Sequence, residues 1–174
     1  MAKADGDKES IHRLAIRAFA WLCGVASQFG TDLKQNLYAH FPGICPYCGH
    51  EVCDGTKVKR MPITTAPTNM SWMELAEMLA KIYPKNTLSK SIEKLGEEVS
   101  ELPFTKGVGQ SFYEELADVT ARLLAIVYLV GTHKTFEQDL FDRFKNGCPS
   151  CQQPKCAGPF FLEPRSVGSV SGNS

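Results

Sequence analysis

Two acidic amphipathic segments separated by a helix-breaking stretch constrain this chain more than any other feature. The first, Lys94-Leu95-Gly96-Glu97-Glu98-Val99-Ser100-Glu101-Leu102, carries Glu98 and Glu101 three residues apart. The second, Glu114-Glu115-Leu116-Ala117-Asp118, repeats that spacing with Glu115 and Asp118. Between them, Pro103-Phe104-Thr105-Lys106-Gly107-Val108-Gly109-Gln110 holds a proline and two glycines, which end a helix and let the chain reverse. The expectation is two helices packed antiparallel with their acids facing one another.

Helical geometry sorts the acids. At about 100° per residue, Leu95, Val99 and Leu102 form one apolar stripe, with Glu98 on its border, Glu101 roughly 60° further round and Lys94 between them. Glu97 projects nearly opposite the stripe, toward solvent. In the second segment Leu116, Val119, Thr120 and Leu123 form the stripe, and Glu115, Asp118 and Arg122 cluster beside it. Glu114 stands three residues after Ser111, the spacing of a capping box. A single acidic pair on a helix is ordinarily a solvated decoration. Two pairs bordering apolar stripes on either side of a short reversal are not, because those borders face the bundle interior. Hard divalent cations such as Mg²⁺ prefer oxygen ligands and keep waters that substrate phosphates can replace, so the arrangement points to phosphate chemistry. Lys94 and Arg122 are candidates to hold phosphate oxygens. Ion pairs one turn apart, Lys94 with Glu98 and Asp118 with Arg122, account for them equally well.

The pattern Glu97-Glu98-x-x-Glu101, thirteen residues, then Glu115-x-x-Asp118 resembles the signature of the MazG-like, all-α nucleoside triphosphate pyrophosphohydrolases. Lys94-Leu95 and the apolar run Leu123-Leu124-Ala125-Ile126-Val127 fit it as well, so the resemblance covers about residues 71–131. It implies Mg²⁺ held by Glu98, Glu101, Glu115 and Asp118, and hydrolysis of a nucleoside triphosphate to nucleoside monophosphate and pyrophosphate. It also implies a homodimer or higher homo-oligomer, with the base lodged between helices. Trp72, Phe104, Phe112 and Tyr113 are aromatic candidates for stacking that base, although such residues more often belong to the core. Where relatives carry an asparagine-containing pattern after the second motif, this chain has Thr120-Ala121-Arg122, so nucleotide selectivity does not carry over. Phosphoribosyl-ATP pyrophosphatases resemble the same helical superfamily and offer a competing substrate. A non-catalytic, zinc-clamped helical binding module is the alternative outside enzymology.

The cysteines make an independent signal. Cys45-Pro46-Tyr47-Cys48 and Cys148-Pro149-Ser150-Cys151 are two C-x-x-C knuckles, each followed five residues later by another cysteine, Cys53 and Cys156. At a constant offset of 103, seven of the nineteen positions in 35–53 and 138–156 are identical, Gln35, Leu37 and Phe41 among them, so the chain holds two copies of a helix-then-knuckle element. Structural zinc takes four tetrahedral ligands, two of which a C-x-x-C turn supplies. A zinc shared by Cys45, Cys48, Cys148 and Cys151 would clamp both ends of the helical domain. His50 is a possible fourth ligand if the first knuckle binds alone; disulfides would require an oxidising compartment. An all-thiolate site is closed and structural rather than catalytic. Cys23 reads as a packed core residue, and His12, His40 and His133 have no partner pattern.

The remaining sequence agrees with a modest helical protein. Nineteen basic and nineteen acidic side chains cancel, which removes the electrostatic footprint expected of a nucleic-acid binder. The longest apolar run, Leu123 to Val130, is far short of the roughly 20 residues that cross a membrane, and the polar start lacks a signal-peptide core. A reducing cytoplasm is the expected compartment. The expected architecture is an all-α antiparallel bundle. It comprises a disordered start over residues 1–8, one helical domain over 9–157 with knuckles at about 44–54 and 147–157, and a flexible tail over 158–174. Helices are expected over about Glu9–Phe29, with a stripe of Leu14, Ala18, Leu22, Val25 and Phe29, and over Thr31–His40, Ser71–Tyr83, Leu88–Leu102, Ser111–Val130 and Thr135–Lys145.

Overall fold

A computed structural model describes residues 2–56, 64, 66–102 and 110–147. Among them the protein is all-helical: α1 (Ala2–Gln28), α2 (Leu33–His40), α3 (Trp72–Ile82), α4 (Leu88–Glu101), α5 (Gln110–Leu129) and α6 (His133–Phe144). The chain divides into two units, Met1–Leu140 and Phe141–Ser174. In the second, the described residues continue the end of α6, where Lys145 pairs with Asp142 at 2.9 Å and Gly147 takes a left-handed φ of 94°. The remaining structural description concerns the first unit.

Local sequence sets the helix starts. Asp32 caps α2 by accepting from the Gln35 amide, and Thr87 caps α4 by accepting from the Lys90 amide. Ser71 and Glu74 form the expected capping box on α3, each side chain accepting from the other's backbone N–H. The box expected of Ser111 and Glu114 does not start α5. That helix already includes Gln110, so Ser111 lies inside the first turn rather than at its cap.

α5 is the hub and packs against α1, α2, α3 and α4. Its Leu116, Ala117, Val119, Thr120, Leu123, Leu124, Ile126 and Val127 are all buried. The Thr120 hydroxyl is satisfied by donating to the Leu116 carbonyl. α3 adds Trp72, Leu75, Ala76, Met78, Leu79 and Ile82 to the same core. From α1, Phe19 meets Trp72 and Phe136 edge to face at 4.6 and 5.1 Å, and Phe29 meets Phe112 at 4.5 Å. Trp72 and Phe112 are therefore core residues. The Asn36 side-chain amide donates to the Tyr113 carbonyl and ties α2 to the start of α5. His12 of α1 is bonded to Asp139 of α6 at 2.8 Å.

The face that α1 buries differs from the expected stripe. Ala15, Ile16, Phe19, Leu22 and Ala26 point inward, while Leu14 is 61% exposed and Ala18 lies outside. The helix is apolar on two sides, and the side carrying Phe19 wins because that ring fills the space between Trp72 and Phe136. No single helix is long and apolar enough to cross a membrane.

Candidate metal-binding sites

The acidic residues meet across α4 and α5. Carboxylate oxygens of Glu98, Glu101 and Glu115 lie within 4.8 Å of one another. Arg122 Nε reaches Glu98 Oε1 at 3.3 Å. Glu101 thus faces Glu115 near the helix ends and Glu98 faces Arg122 further along, the pairing order of antiparallel helices. The reversal itself, residues 103–109, lies outside the described residues, as does Phe104.

Asp118, only 7% exposed, completes the acidic side of α5. Burial raises the Glu98 carboxyl above its ordinary pKa, and the neighbouring Asp118 charge raises it further, against the lowering influence of Arg122. Glu98 and Glu115 are half-buried and Glu101 is exposed; crowded carboxylates of one sign are costly unless a cation joins them, and an all-oxygen donor set suits a hard divalent ion. Glu97 is exposed and takes Lys94 as its ion-pair partner. Lys94 is therefore engaged one turn away on its own helix, and Arg122 reaches Glu98 across the helices.

The first knuckle is a tight, hydrogen-bonded loop. The Cys45 amide donates to the His50 carbonyl and the Gly49 amide to the Cys45 carbonyl, both at 2.8 Å, while Gly43, Gly49 and Gly55 take φ of 85°, 75° and 85°. Those left-handed conformations suit glycine and let the loop close on itself. Sulfurs of Cys45, Cys48 and Cys53 lie within 4.8 Å of one another. Cys53 thereby becomes a third member of a cluster whose sequence motif shows two. The Cys53 amide donates to the Ile82 carbonyl at 2.8 Å, fastening the loop to the last turn of α3.

Burial by itself would raise the Cys45 thiol. Hydrogen bonds from the Tyr47 backbone, the Tyr83 hydroxyl and the Cys48 backbone outweigh it and draw its pKa down, favouring the thiolate that a metal requires. Three convergent sulfurs with peptide donors suit a structural zinc site. His50 Nδ1 lies 3.1 Å from Asp54 Oδ2, and both lie within 4.8 Å of the Cys48 sulfur. Cys148, Cys151 and Cys156 fall outside the described residues. Cys23 is half-buried in α1, and burial, followed by the Asp32 charge, pushes its thiol up to about 11, which fits an inert packed residue.

The knuckle adjoins the acidic site. The Tyr83 hydroxyl donates to Cys45 Sγ at 3.6 Å, and Tyr83 meets Phe41 edge to face at 6.4 Å. These rings and Tyr47 border a small cleft, with a volume of only about 20 Å³, that Asp118 and Arg122 also line. The sequence does not single out Tyr83, and it marks Phe41 only as a position shared by the two helix-then-knuckle copies. Tyr47 carries a visible signal, its place between the two cysteines of a C-x-x-C turn. Comparison with protein-family models, curated proteins and solved structures finds no match.

Proposed function

We propose that the protein is a Mg²⁺-dependent nucleotide pyrophosphohydrolase of MazG-like type, acting on a nucleoside triphosphate and braced by structural zinc. The convergence of Glu98, Glu101 and Glu115 across two helices, with Asp118 beside them, carries the reading. Glu98, Glu101, Glu115 and Asp118 would hold magnesium, which supplies neutralisation of the triphosphate charge. Arg122 would take a non-bridging phosphate oxygen in exchange for its bond with Glu98. One carboxylate accepts a proton from water as the water oxygen attacks the α phosphorus. The bond from that phosphorus to the bridging oxygen breaks, and pyrophosphate leaves. Lys94, held by Glu97, is the weaker candidate for phosphate binding.

A structural zinc at the knuckle would be held by Cys45, Cys48 and Cys53, whose three sulfurs converge. The active form is a homodimer. α4 is strongly amphipathic, yet Ser91 is its only buried residue; Ile92 and Val99 are 49% and 46% exposed. Leu88, Ile92, Leu95 and Val99 repeat at heptad spacing, the pattern of a helix that buries its stripe against another helix.

Incubating the protein with Mg²⁺ and a panel of canonical and modified nucleoside triphosphates tests the reaction. Monophosphate and pyrophosphate in equal amounts, lost on chelation, are the expected products. Diphosphate with phosphate, or no turnover on any triphosphate or on phosphoribosyl-ATP, would remove the assignment.

A further inference from the structure

We propose that the first knuckle is a complete metal site by itself, with His50 as the fourth ligand beside Cys45, Cys48 and Cys53 and with Asp54 orienting the imidazole. This rests on the reading of the knuckle as a structural zinc site and adds what fills its fourth position. The sulfurs of Cys45, Cys48 and Cys53 lie within 4.8 Å of one another. A second set, the Cys48 sulfur with a His50 ring nitrogen and an Asp54 carboxylate oxygen, converges within the same 4.8 Å. Cys48 is common to both, so the histidine and the three sulfurs belong to one cluster. The backbone brings them together: the Cys45 amide donates to the His50 carbonyl at 2.8 Å, which sets these residues side by side after the turn at Gly49. Three thiolates and one imidazole make up one of the four-ligand tetrahedral sets that structural zinc takes.

Asp54 gives the ring its direction. Its Oδ2 lies 3.1 Å from His50 Nδ1, and a proton on Nδ1 donated to that carboxylate leaves the Nε2 lone pair for a metal. Asp54 is itself held, since its Oδ1 accepts from the Thr56 amide at 2.8 Å. The other histidines are engaged elsewhere: His12 with Asp139, His40 with the Asn36 carbonyl, and His133 with Glu77 and Tyr128. Cys45 is fully buried, whereas the His50 and Asp54 side chains are 63% and 44% exposed. Metal therefore reaches the sulfurs from the histidine side, and the imidazole closes over it. A site completed in this way takes no sulfur from the second knuckle, in contrast to a zinc shared with Cys148 and Cys151.

X-ray absorption at the zinc edge tests this on the zinc-loaded full chain carrying Cys148→Ser, Cys151→Ser and Cys156→Ser, in which only the first knuckle is intact. The expected spectrum has three sulfurs at about 2.3 Å and one nitrogen at about 2.0–2.1 Å, with the outer scattering of an imidazole ring. Asp54→Asn in that chain should keep this ligand set and weaken zinc about ten- to a hundredfold in competition with a chromophoric chelator, the usual cost of losing such a partner. His50→Ala should cost at least as much and remove the ring scattering. His50→Cys should recover the affinity and give four sulfurs. Should the triple variant fail to fold, the wild-type spectrum is read instead, and its ring scattering should vanish in His50→Ala. Ring scattering that survives His50→Ala, or four sulfurs and no nitrogen in the wild type, would overturn the assignment. So would a nitrogen or oxygen ligand kept in His50→Ala and lost in Asp54→Ala, which would hand the fourth position to Asp54. A folded triple variant that binds no zinc while the wild type does would overturn it in favour of the shared clamp. No zinc on the wild-type chain would remove the zinc reading itself, and this site with it.

Discussion

Glu98 is the residue whose chemistry is least explained by folding alone. Its carboxylate sits half-buried against Asp118, partly offset by Arg122, and its pKa is raised first by burial and then by that neighbouring charge. A carboxyl whose folded pKa exceeds its ordinary value of 4.5 contributes stability that is fully present below that value and is lost as the pH rises through the folded one. At neutral pH without metal, the ionised side chain therefore opposes folding. Glu98→Gln in chelator should melt above the wild type at neutral pH, with the gap closing toward pH 4.5 in a thermal scan. The same variant should lose turnover by at least about a hundredfold, the scale of removing one positioned group from a reacting centre. A variant that melts lower and keeps its turnover would contradict both expectations. Glu97→Gln should alter turnover only mildly, since Glu97 is exposed and pairs with Lys94 outside the cluster. Helical projection separates these neighbouring glutamates in the sequence, because 100° of rotation takes one from the stripe border to solvent. Tyr83 escapes the same reasoning. Its relevant partner, Cys45, is remote in sequence and meets it only when α3 packs beside the knuckle.

At the scale of elements, the knuckle and α1 show where periodicity suffices and where it does not. Caps at Ser71, Asp32 and Thr87 are local, so α2, α3 and α4 begin close to where the sequence places them. α1 carries apolar residues on two sides, and periodicity cannot rank them; the choice is made by the aromatic contacts of Phe19 across the core. The knuckle motif reveals Cys45 and Cys48 through their spacing, whereas Cys53 joins them through the loop that turns back at Gly49. Metal analysis on Cys53→Ser decides its role. Zinc content and melting temperature should fall together, as they should in Cys45→Ser, because ligand loss removes binding energy that is also folding energy. Cys23→Ser should leave the zinc content unchanged. Full zinc in Cys53→Ser together with loss in both Cys148→Ser and Cys151→Ser would instead assign the ligands to the two C-x-x-C pairs alone.

For the whole molecule, the exposed apolar surface must be reconciled with a zero net charge, which supplies no overall repulsion against association. α1 and α4 each present apolar residues outward: Leu14 and Trp21 on the first, Ile92 and Val99 on the second. They differ in what they leave undone. α1 already buries Phe19, Leu22 and their neighbours, so its outer residues are surplus, whereas α4 fully buries only Ser91 and leaves Ile92 and Val99 of its stripe half exposed. A fourteen-residue helix is marginal alone and takes most of its stability from tertiary packing. Burial of the α4 stripe by a second copy would supply that packing and would close over helices that carry Glu98 and Glu101. Sedimentation equilibrium should therefore give twice 19.2 kDa for the wild type. Ile92→Glu with Val99→Glu should give a monomer with weakened Mg²⁺-dependent turnover, while Leu14→Glu with Trp21→Glu should stay dimeric. A wild-type monomer would remove the dimer, and dissociation only in the α1 variant would move the interface to that helix.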